Sequence, residues 1–133
     1  MATFHLQIVT PDRMVYDGQA ERVIVRTLRG DVCILARHID YAAPLGIGEA
    51  RVTDAEGATR VAACSGGMIG VDGGEVRIMA TTFEWADAID LERAQRAQKE
   101  ALERLESLKR EDRDFSIAEA KLKRALARIH AKE

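Results

Sequence analysis

The sequence predicts an N-terminal antiparallel β-sandwich or flattened barrel, followed by a C-terminal antiparallel hairpin of two helices. Short stretches of alternating apolar and polar residues, separated by glycine turns, fill the chain as far as Glu84. Beyond Ala88 the chain contains no glycine or proline, and its apolar residues recur with helical spacing. We therefore predict two domains, a sandwich at residues 1–84 and a helical domain at residues 85–133.

Seven strands are predicted in the first domain. Alternation of apolar and polar side chains, as expected when one face of a sheet is buried, is clear in residues 3–10, less clean in residues 21–28, and replaced by a short apolar run in residues 32–35. The predicted strands are residues 3–10, 21–28, 32–35, 47–54, 59–64, 68–71 and 75–81. Turns such as Asp17-Gly18 separate them, because glycine tolerates the positive φ angles that tight turns require. Many short strands at this spacing favour a sandwich or barrel.

Two helices are predicted in the second domain. The first follows Asp90, a residue type suited to capping a helix N-terminus. A charged break at residues 109–114 separates it from the second helix, for which we predict a capping box between Ser116 and Glu119. Alanine dominates the contact faces, so the two helices can approach closely but bury little apolar area. We expect a weakly held hairpin that can detach and repack.

Composition and charge limit the class of protein. The net charge of −2 and the aromatic content of 5% argue against a nucleic-acid binder. No signal peptide is recognisable, and the longest aliphatic stretch, residues 32–36, is far shorter than the roughly 20 apolar residues of a membrane span. We therefore expect no direct membrane insertion, only association through a partner. Cys33 and Cys64 are predicted to be buried free thiols, with a disulfide as the alternative.

No catalytic or metal-binding pattern is recognisable. The histidines are scattered, no spacing suits zinc, and the phosphate-binding loops and protease motifs are absent. The basic residues of the second helix, Lys121, Lys123, Arg124 and Arg128, form either a solvated face or an anion site. We predict no catalytic residues, no metal and no required cofactor. On these grounds the chain is an adaptor or regulatory module.

Five segments carry a resemblance to a known family. They are residues 4–11, residues 16–25, the Gly30–His38 loop of the form G-E-x-G-I-x-P-x-H, the Ser-Gly-Gly segment at 65–71, and residues 76–81. In this order, and with a helical hairpin behind them, they resemble the epsilon subunit of bacterial F-type ATP synthases over essentially the whole chain. Cys33 and Ala36 stand where the family loop has glycine and proline, and Ile39-Asp40 stands where it has an alanine-proline pair.

The resemblance implies a non-catalytic rotor subunit of the central stalk. Family members bind the gamma subunit and the c-ring through the sandwich, at the cytoplasmic face of the cell membrane, and couple proton flow to ATP synthesis. Their hairpin lies folded on the sandwich or extends toward the alpha/beta catalytic head and inhibits ATP hydrolysis, which requires two packings of similar free energy. Asp31 and His38 are then candidates for the c-ring contact, or else ordinary exposed loop residues. The alternative function is a free-standing adaptor with the same fold.

Some family members bind regulatory ATP through a sequence of the form I/L-D-x-x-R-A, which residues 89–94 match at every fixed position. The residues that the resemblance implies for this site are Glu84, Asp90, Arg93, Ala94, Arg124 and Arg128. Carboxylates and planar guanidinium groups suit the recognition of a nucleotide. Glu100 replaces an arginine of the ATP-binding members. The alternative reading is structural, in which Asp90 caps a helix and Arg93 forms a salt bridge nearby.

Overall fold

A computed structural model describes residues 2–133, in which nine strands pair into one sheet that folds over itself as a sandwich. The strands are β1 Phe4–Val9, β2 Met14–Thr27, β3 Gly30–Leu35, β4 Tyr41–Pro44, β5 Ile47–Asp54, β6 Thr59–Ser65, β7 Met68–Asp72, β8 Glu75–Met79 and β9 Thr82–Trp85. Their order is β4-β7-β8-β1-β2-β5-β6-β9, with β3 paired to β2. The predicted fold class is confirmed, but β1 and β8 pair in parallel.

The long strand β2 joins the two layers of the sandwich. Its first half pairs with β1, and its second half pairs with β3 on one side and β5 on the other. The predicted turn at Asp17-Gly18 is wrong, because both residues lie within β2, whose residues 14–20 are not predicted as strand. Two further strands, β4 and β9, are not predicted by the sequence pattern. Each has four residues and therefore shows at most two side chains on a face, which is too few for a recognisable alternation.

The core of the sandwich is formed by the inward-facing residues of these strands. In β1, Phe4, Leu6 and Ile8 are buried while the residues between them are partly exposed. The largest fully buried side chains are Leu6, Ile8, Val23, Val25, Ile34, Val52, Ile69 and Ile78. The buried members of this cluster lie between Phe4 and Trp85. The sandwich thus encloses its own core without help from the helices.

The helical hairpin consists of α1, Leu91–Glu106, and α2, Arg113–Lys132, which follow a short 3₁₀ turn at Ala86–Ala88. The predicted cap of α1 is confirmed, since Asp90 Oδ1 accepts a hydrogen bond from the Arg93 backbone N–H at 3.1 Å. The predicted capping box of α2 is wrong. The helix begins at Arg113, so Ser116 already lies inside it, and Asp112 instead accepts a bond from the Lys109 backbone N–H at 3.0 Å.

The two cysteines differ in their surroundings. Both are free thiols, and Cys64 is buried, which raises its pKa to about 12. The prediction that Cys33 is buried is wrong. Cys33 alternates with the buried Ile34 along β3 and therefore points to the exposed side of the strand.

A chain of polar side chains crosses β2, β1 and β8 on the outward face of the sheet. The Nε2 atom of His5 lies 2.5 Å from Oδ1 of Asp17, and its Nδ1 atom lies 3.8 Å from Oε1 of Glu75. The hydrogen bond to Asp17 is the main cause that raises the pKa of His5 above its ordinary value of 6.5. A protonated His5 therefore links three neighbouring strands.

Replacing Asp17 with asparagine is expected to lower the pKa of His5 toward 6.5. The pKa of His5 is higher in the folded state than in the unfolded state. Its charged form therefore adds to the free energy of unfolding in full below the pKa of the unfolded state, and this contribution is lost as the pH rises through the pKa of the folded state. NMR titration of the His5 ring measures the first effect, and urea unfolding at about pH 5 and about pH 9 measures the second. An unchanged pKa of His5 in Asp17→Asn would contradict this account.

Candidate functional site

The hairpin touches the sandwich mainly through α2. This helix packs against β5 and β6, whereas α1 packs on α2. The apolar contact is small. Its buried members are Ala63, Ile89, Ala127 and Ala131, with Ile47 and Val61 partly buried beside them. At about 25 cal/mol per Å² of apolar surface, alanine side chains contribute little, so this interface is weak for its length.

Two cationic side chains near the end of α2 reinforce that contact. Arg128 Nε donates to Glu84 Oε1 at 2.6 Å, and Lys132 Nζ donates to the Ala86 carbonyl oxygen at 2.9 Å. Glu84 belongs to β9, and Ala86 begins the turn that leads into α1. We name these four residues the hinge clasp, because they bind the last turns of α2 to the segment that joins the two domains.

Replacing both Arg128 and Lys132 with methionine is expected to loosen α2. The change keeps most of the side-chain length but removes two charge-assisted hydrogen bonds, each contributing about 1 kcal/mol at partly exposed positions. Amide exchange in α2 should accelerate about tenfold or more, while exchange in β1 stays unchanged. The control is Lys121→Met/Lys123→Met, which removes the same charge from the same helix. Equal exchange in the two variants would show that the hinge clasp does not hold α2.

A cleft of about 500 Å³ opens between α1 and α2. Its lining residues are Ala97, Glu100, Ala101, Arg104, Asp114, Ile117, Ala118, Lys121, Arg124 and Arg128. Two of its charges form a pair across the helices, with Arg104 Nη2 at 3.4 Å from Asp114 Oδ2. Three cations of α2, Lys121, Arg124 and Arg128, contribute positive charge to the same cleft, although Arg128 is also bound to Glu84. The cleft can therefore accept an anion.

A second candidate site lies on the outward face of the sandwich. The strand registers place Pro44 opposite Met68, Met68 opposite Met79, Met79 opposite Val9 and Val9 opposite Met14. We name these five residues the methionine row. Met68 is 41% exposed, and Met79 and Met14 are each 49% exposed. Sequence reasoning missed this row because the five residues become neighbours only through the pairing of five separate strands.

The methionine row has a polar border. Arg77 and Gln7 lie two residues from Met79 and Val9 along their strands, and Arg77 Nη2 donates a hydrogen bond to Gln7 Oε1 at 2.9 Å. The pair of His5 and Asp17 lies farther from the row. Gly70 lies opposite Arg77 in this border, and a Cβ added to it would meet no atom within 4 Å, so the surface there is open. An exposed apolar patch with a polar rim is typical of protein–protein contacts, and methionine adapts readily to a partner's shape.

Comparison with protein families identifies the fold. Residues 3–86 match the model of the beta-sandwich domain of the ATP synthase delta/epsilon chain, and residues 87–133 match the model of its long alpha-helix domain. The chain belongs to the ATP synthase delta/epsilon chain family. The resemblance to epsilon subunits that the sequence indicated is thereby confirmed.

Individual relatives of the delta/epsilon family agree. An ATP synthase epsilon chain of Halalkalibacterium halodurans is 42% identical over 130 residues, covering 97% of this chain and 96% of that protein. An epsilon chain of Bacillus velezensis is 44% identical over 129 residues, covering 97% and 96%. Among solved structures, a chain of the Euglena gracilis mitochondrial ATP synthase superposes with a TM-score of 0.87 at 23% identity, covering 100% of this chain and 83% of that chain. The last comparison shows a shared fold.

The residues expected to bind ATP in the delta/epsilon family are only partly brought together. Arg124 and Arg128 line the interhelical cleft. Glu84 does not line it but forms an ion pair with Arg128. Asp90 and Arg93 lie at the start of α1 and are not among the residues that line the cleft. Ala94 is buried, with 2% of its surface exposed. The capping role that was the alternative for Asp90 is the one the geometry shows.

The two residues expected at the c-ring contact lie at opposite ends of β3. Asp31 accepts a hydrogen bond from Arg26 Nε at 2.6 Å, near the start of the strand. His38 follows the end of the strand, where its Nδ1 lies 2.7 Å from the Ile39 carbonyl oxygen and its ring meets that of Tyr41 edge-on. At about 3.3 Å per residue, Asp31 and Leu35 are roughly 13 Å apart along the strand, and the chain turns between Leu35 and His38. The c-ring contact of these two residues stays a prediction.

Residues 2–133 contain neither a helix suited to a membrane nor a cluster suited to a metal ion. Neither α1 nor α2 combines the length and apolar character needed to cross a bilayer. In the same part of the chain, no three side chains of the histidine, cysteine, aspartate and glutamate types meet as a metal site would require.

Proposed function

We propose that the chain is a rotor subunit in the central stalk of a bacterial F-type ATP synthase, coupling proton flow to ATP synthesis without performing chemistry itself. The methionine row carries this proposal, because it gives the sandwich a rimmed apolar surface suited to a permanent partner. We assign this surface to the gamma subunit. A chain of similar fold, at 12% identity and a TM-score of 0.61, belongs to the central stalk and c-ring of the Tetrahymena thermophila mitochondrial ATP synthase.

The c-ring is the second partner in this proposal. The subunit is then a peripheral membrane protein, bound at the cytoplasmic face of the membrane through its partners. Asp31 and Leu28 belong to the same end of the sandwich as the methionine row, since the Leu28 backbone N–H donates to the Pro44 carbonyl at 3.3 Å. Leu28 is 71% exposed. Of the two predicted c-ring residues, Asp31 therefore adjoins the partner surface, whereas His38 lies at the other end of β3.

The hairpin supplies regulation in this proposal. It inhibits ATP hydrolysis when it leaves the sandwich and extends toward the alpha/beta catalytic head. The alanine-rich contact of α2 and the hinge clasp favour such a switch, because both consist of few groups that contribute little each. The independent core of the sandwich allows the hairpin to leave without unfolding the rest.

The test measures ATP hydrolysis by a cognate catalytic head with its gamma subunit. One reaction receives the full chain, and the other receives a version ending at Ala88. The shorter version keeps Phe83 and Trp85, which are buried in the sandwich core. We expect both versions to bind and only the full chain to slow hydrolysis. Equal rates would remove the regulatory role, and failure of both to bind would favour a free-standing adaptor.

We further propose that the interhelical cleft binds regulatory ATP, and that Arg124 and Lys121 donate hydrogen bonds to its phosphate oxygens. Glu100 opposes such binding, because its carboxylate lines the same cleft and repels phosphate. Calorimetry at millimolar ATP should detect binding, and Glu100→Arg should tighten it about tenfold, equivalent to about 1.4 kcal/mol. Arg124→Ala should weaken it. No heat with the original chain and none with Glu100→Arg would end this proposal.

A further inference from the structure

One edge of the sandwich is both regular and open. Strand β3 pairs with β2 alone, in an unbroken register from Arg22 opposite Leu35 to Thr27 opposite Gly30. Within residues 2–133, its other backbone hydrogen bonds are confined to turns at its two ends. These are Thr27 Oγ1 to the Gly30 carbonyl and the His38 N–H to the Leu35 carbonyl. The outer edge of β3 therefore presents free donors and acceptors.

The other edges of the sandwich are protected. Strand β4 has four residues and ends in Pro44, which lacks a backbone N–H. Strand β9 also has four residues and adjoins the hinge clasp. The first half of β2 is irregular, with shifts of register at Ile8/Val9 and Ala20/Arg22. Short strands, proline and bulges are the devices by which proteins block unwanted strand pairing.

Strand β3 has none of these protections. It contains six residues and no proline, lysine or bulge. Its outward side chains include Cys33 and Leu35, and Leu35 is 52% exposed. The single acid of the strand, Asp31, is already engaged by Arg26. An edge of this kind is suited to accept one further strand.

Charge decides which strand fits. Exposed arginines, Arg29 and Arg37, flank the two ends of β3. A second copy of this chain, paired antiparallel and centred on Cys33, would place Arg29 opposite Arg37 at both ends, which is unfavourable. A partner strand that carries an acidic residue near each end would meet both arginines favourably.

We propose that β3 accepts an extended strand from the stalk partner that packs on the methionine row, with acidic residues facing Arg29 and Arg37. This inference rests on the proposed function, because it takes the same partner. The two surfaces are continuous, since the tip of the β2–β3 hairpin at Leu28 is hydrogen-bonded to Pro44 at the end of the methionine row. Main-chain hydrogen bonds along β3 add to apolar contact on the row.

Cys33 reports directly on this edge. The chain is reconstituted into a catalytic head with gamma subunit, and the reaction of its thiols with a maleimide is timed before and after assembly. Cys64 is buried with a pKa of about 12 and stays silent. We expect Cys33 to react at least tenfold more slowly in the complex. Hydrogen exchange of the β3 amides should slow as well, because strand pairing engages their N–H groups in hydrogen bonds. A partner that covers the edge without strand pairing would protect the Cys33 thiol but not these amides.

A matched pair of variants completes the test. Leu35→Lys places a charge beside the open edge, and Leu102→Lys places the same charge on α1, at a site 46% exposed. We expect the first to weaken assembly at least tenfold and the second to leave it unchanged. If the chain assembles while Cys33 and the β3 amides keep their free rates, the strand-pairing inference falls and the proposed function stands. If the chain does not assemble, both fall.

Discussion

Replacing Gly67 with alanine is expected to lower the free energy of unfolding by roughly 3–4 kcal/mol, a loss large enough to threaten folding at growth temperature. Gly67 adopts a φ angle of +99°, where side chains are strained. An added Cβ would overlap the Met79 carbonyl oxygen and would lie 2.8 Å from the Ala80 Cα. Both contacts are with backbone, so neither can yield by a simple rotation of a side chain.

The control for this variant is Gly70→Ala in the neighbouring strand β7. A Cβ at Gly70 meets nothing within 4 Å, and no unusual φ is required there. We expect a change of about 0.5 kcal/mol or less. Urea unfolding followed by circular dichroism compares the two. A similar midpoint for Gly67→Ala and Gly70→Ala would mean that the turn at Gly67 relaxes without cost, contrary to this account.

Changing Met68 to glutamate and Met79 to lysine is expected to weaken binding to a gamma subunit at least 100-fold, about 2.7 kcal/mol. The two residues face one another across β7 and β8, in the middle of the methionine row. A partner's apolar surface would have to cover two charges, and burying charge without full compensation is costly. The opposite signs are chosen so that the free sandwich gains a cross-strand pair and stays folded.

Binding of this double variant can be followed by surface plasmon resonance against immobilised gamma subunit. The control is Ile117→Glu/Leu102→Lys, which places the same charges on the hairpin at sites 47% and 46% exposed. Its affinity should be unchanged if the sandwich alone binds gamma. An equal loss of affinity in both variants, or no loss in the double methionine variant, would show that the methionine row is not the surface that binds the gamma subunit.

Strands with alternation, or with a short apolar run such as residues 32–35, were predictable from sequence, and strands without either were not. The predicted bounds of β5, Ile47–Asp54, are confirmed, and in its second half the buried Ala50 and Val52 alternate with the exposed Arg51. Strand β4 contains two alanines and a proline and shows little contrast between its faces. The parallel pairing of β1 with β8 has no local signature, since it depends on how distant segments are stacked.

The candidate sites were predictable to a smaller extent. The role of Asp90 is recognisable because capping is a local interaction between residues three apart. The same reasoning fails at Ser116, where Asp112 closes the preceding turn and the helix begins earlier. The hinge clasp joins Arg128 to Glu84 across 44 positions, so it is recognisable only after folding. The family resemblance assigns these two residues a different role, in nucleotide binding.

The parallel contact between β1 and β8 sets an order of events for a chain synthesised from its N-terminus. Gln7 and Arg77 share a hydrogen bond although they are 70 positions apart. Nearly the whole sandwich must therefore be synthesised before β1 can pair with β8. Closing so large a loop has an entropic cost. We expect nascent chains that end before Glu75 to remain sensitive to proteases. The sandwich should then form late in translation and in one cooperative step.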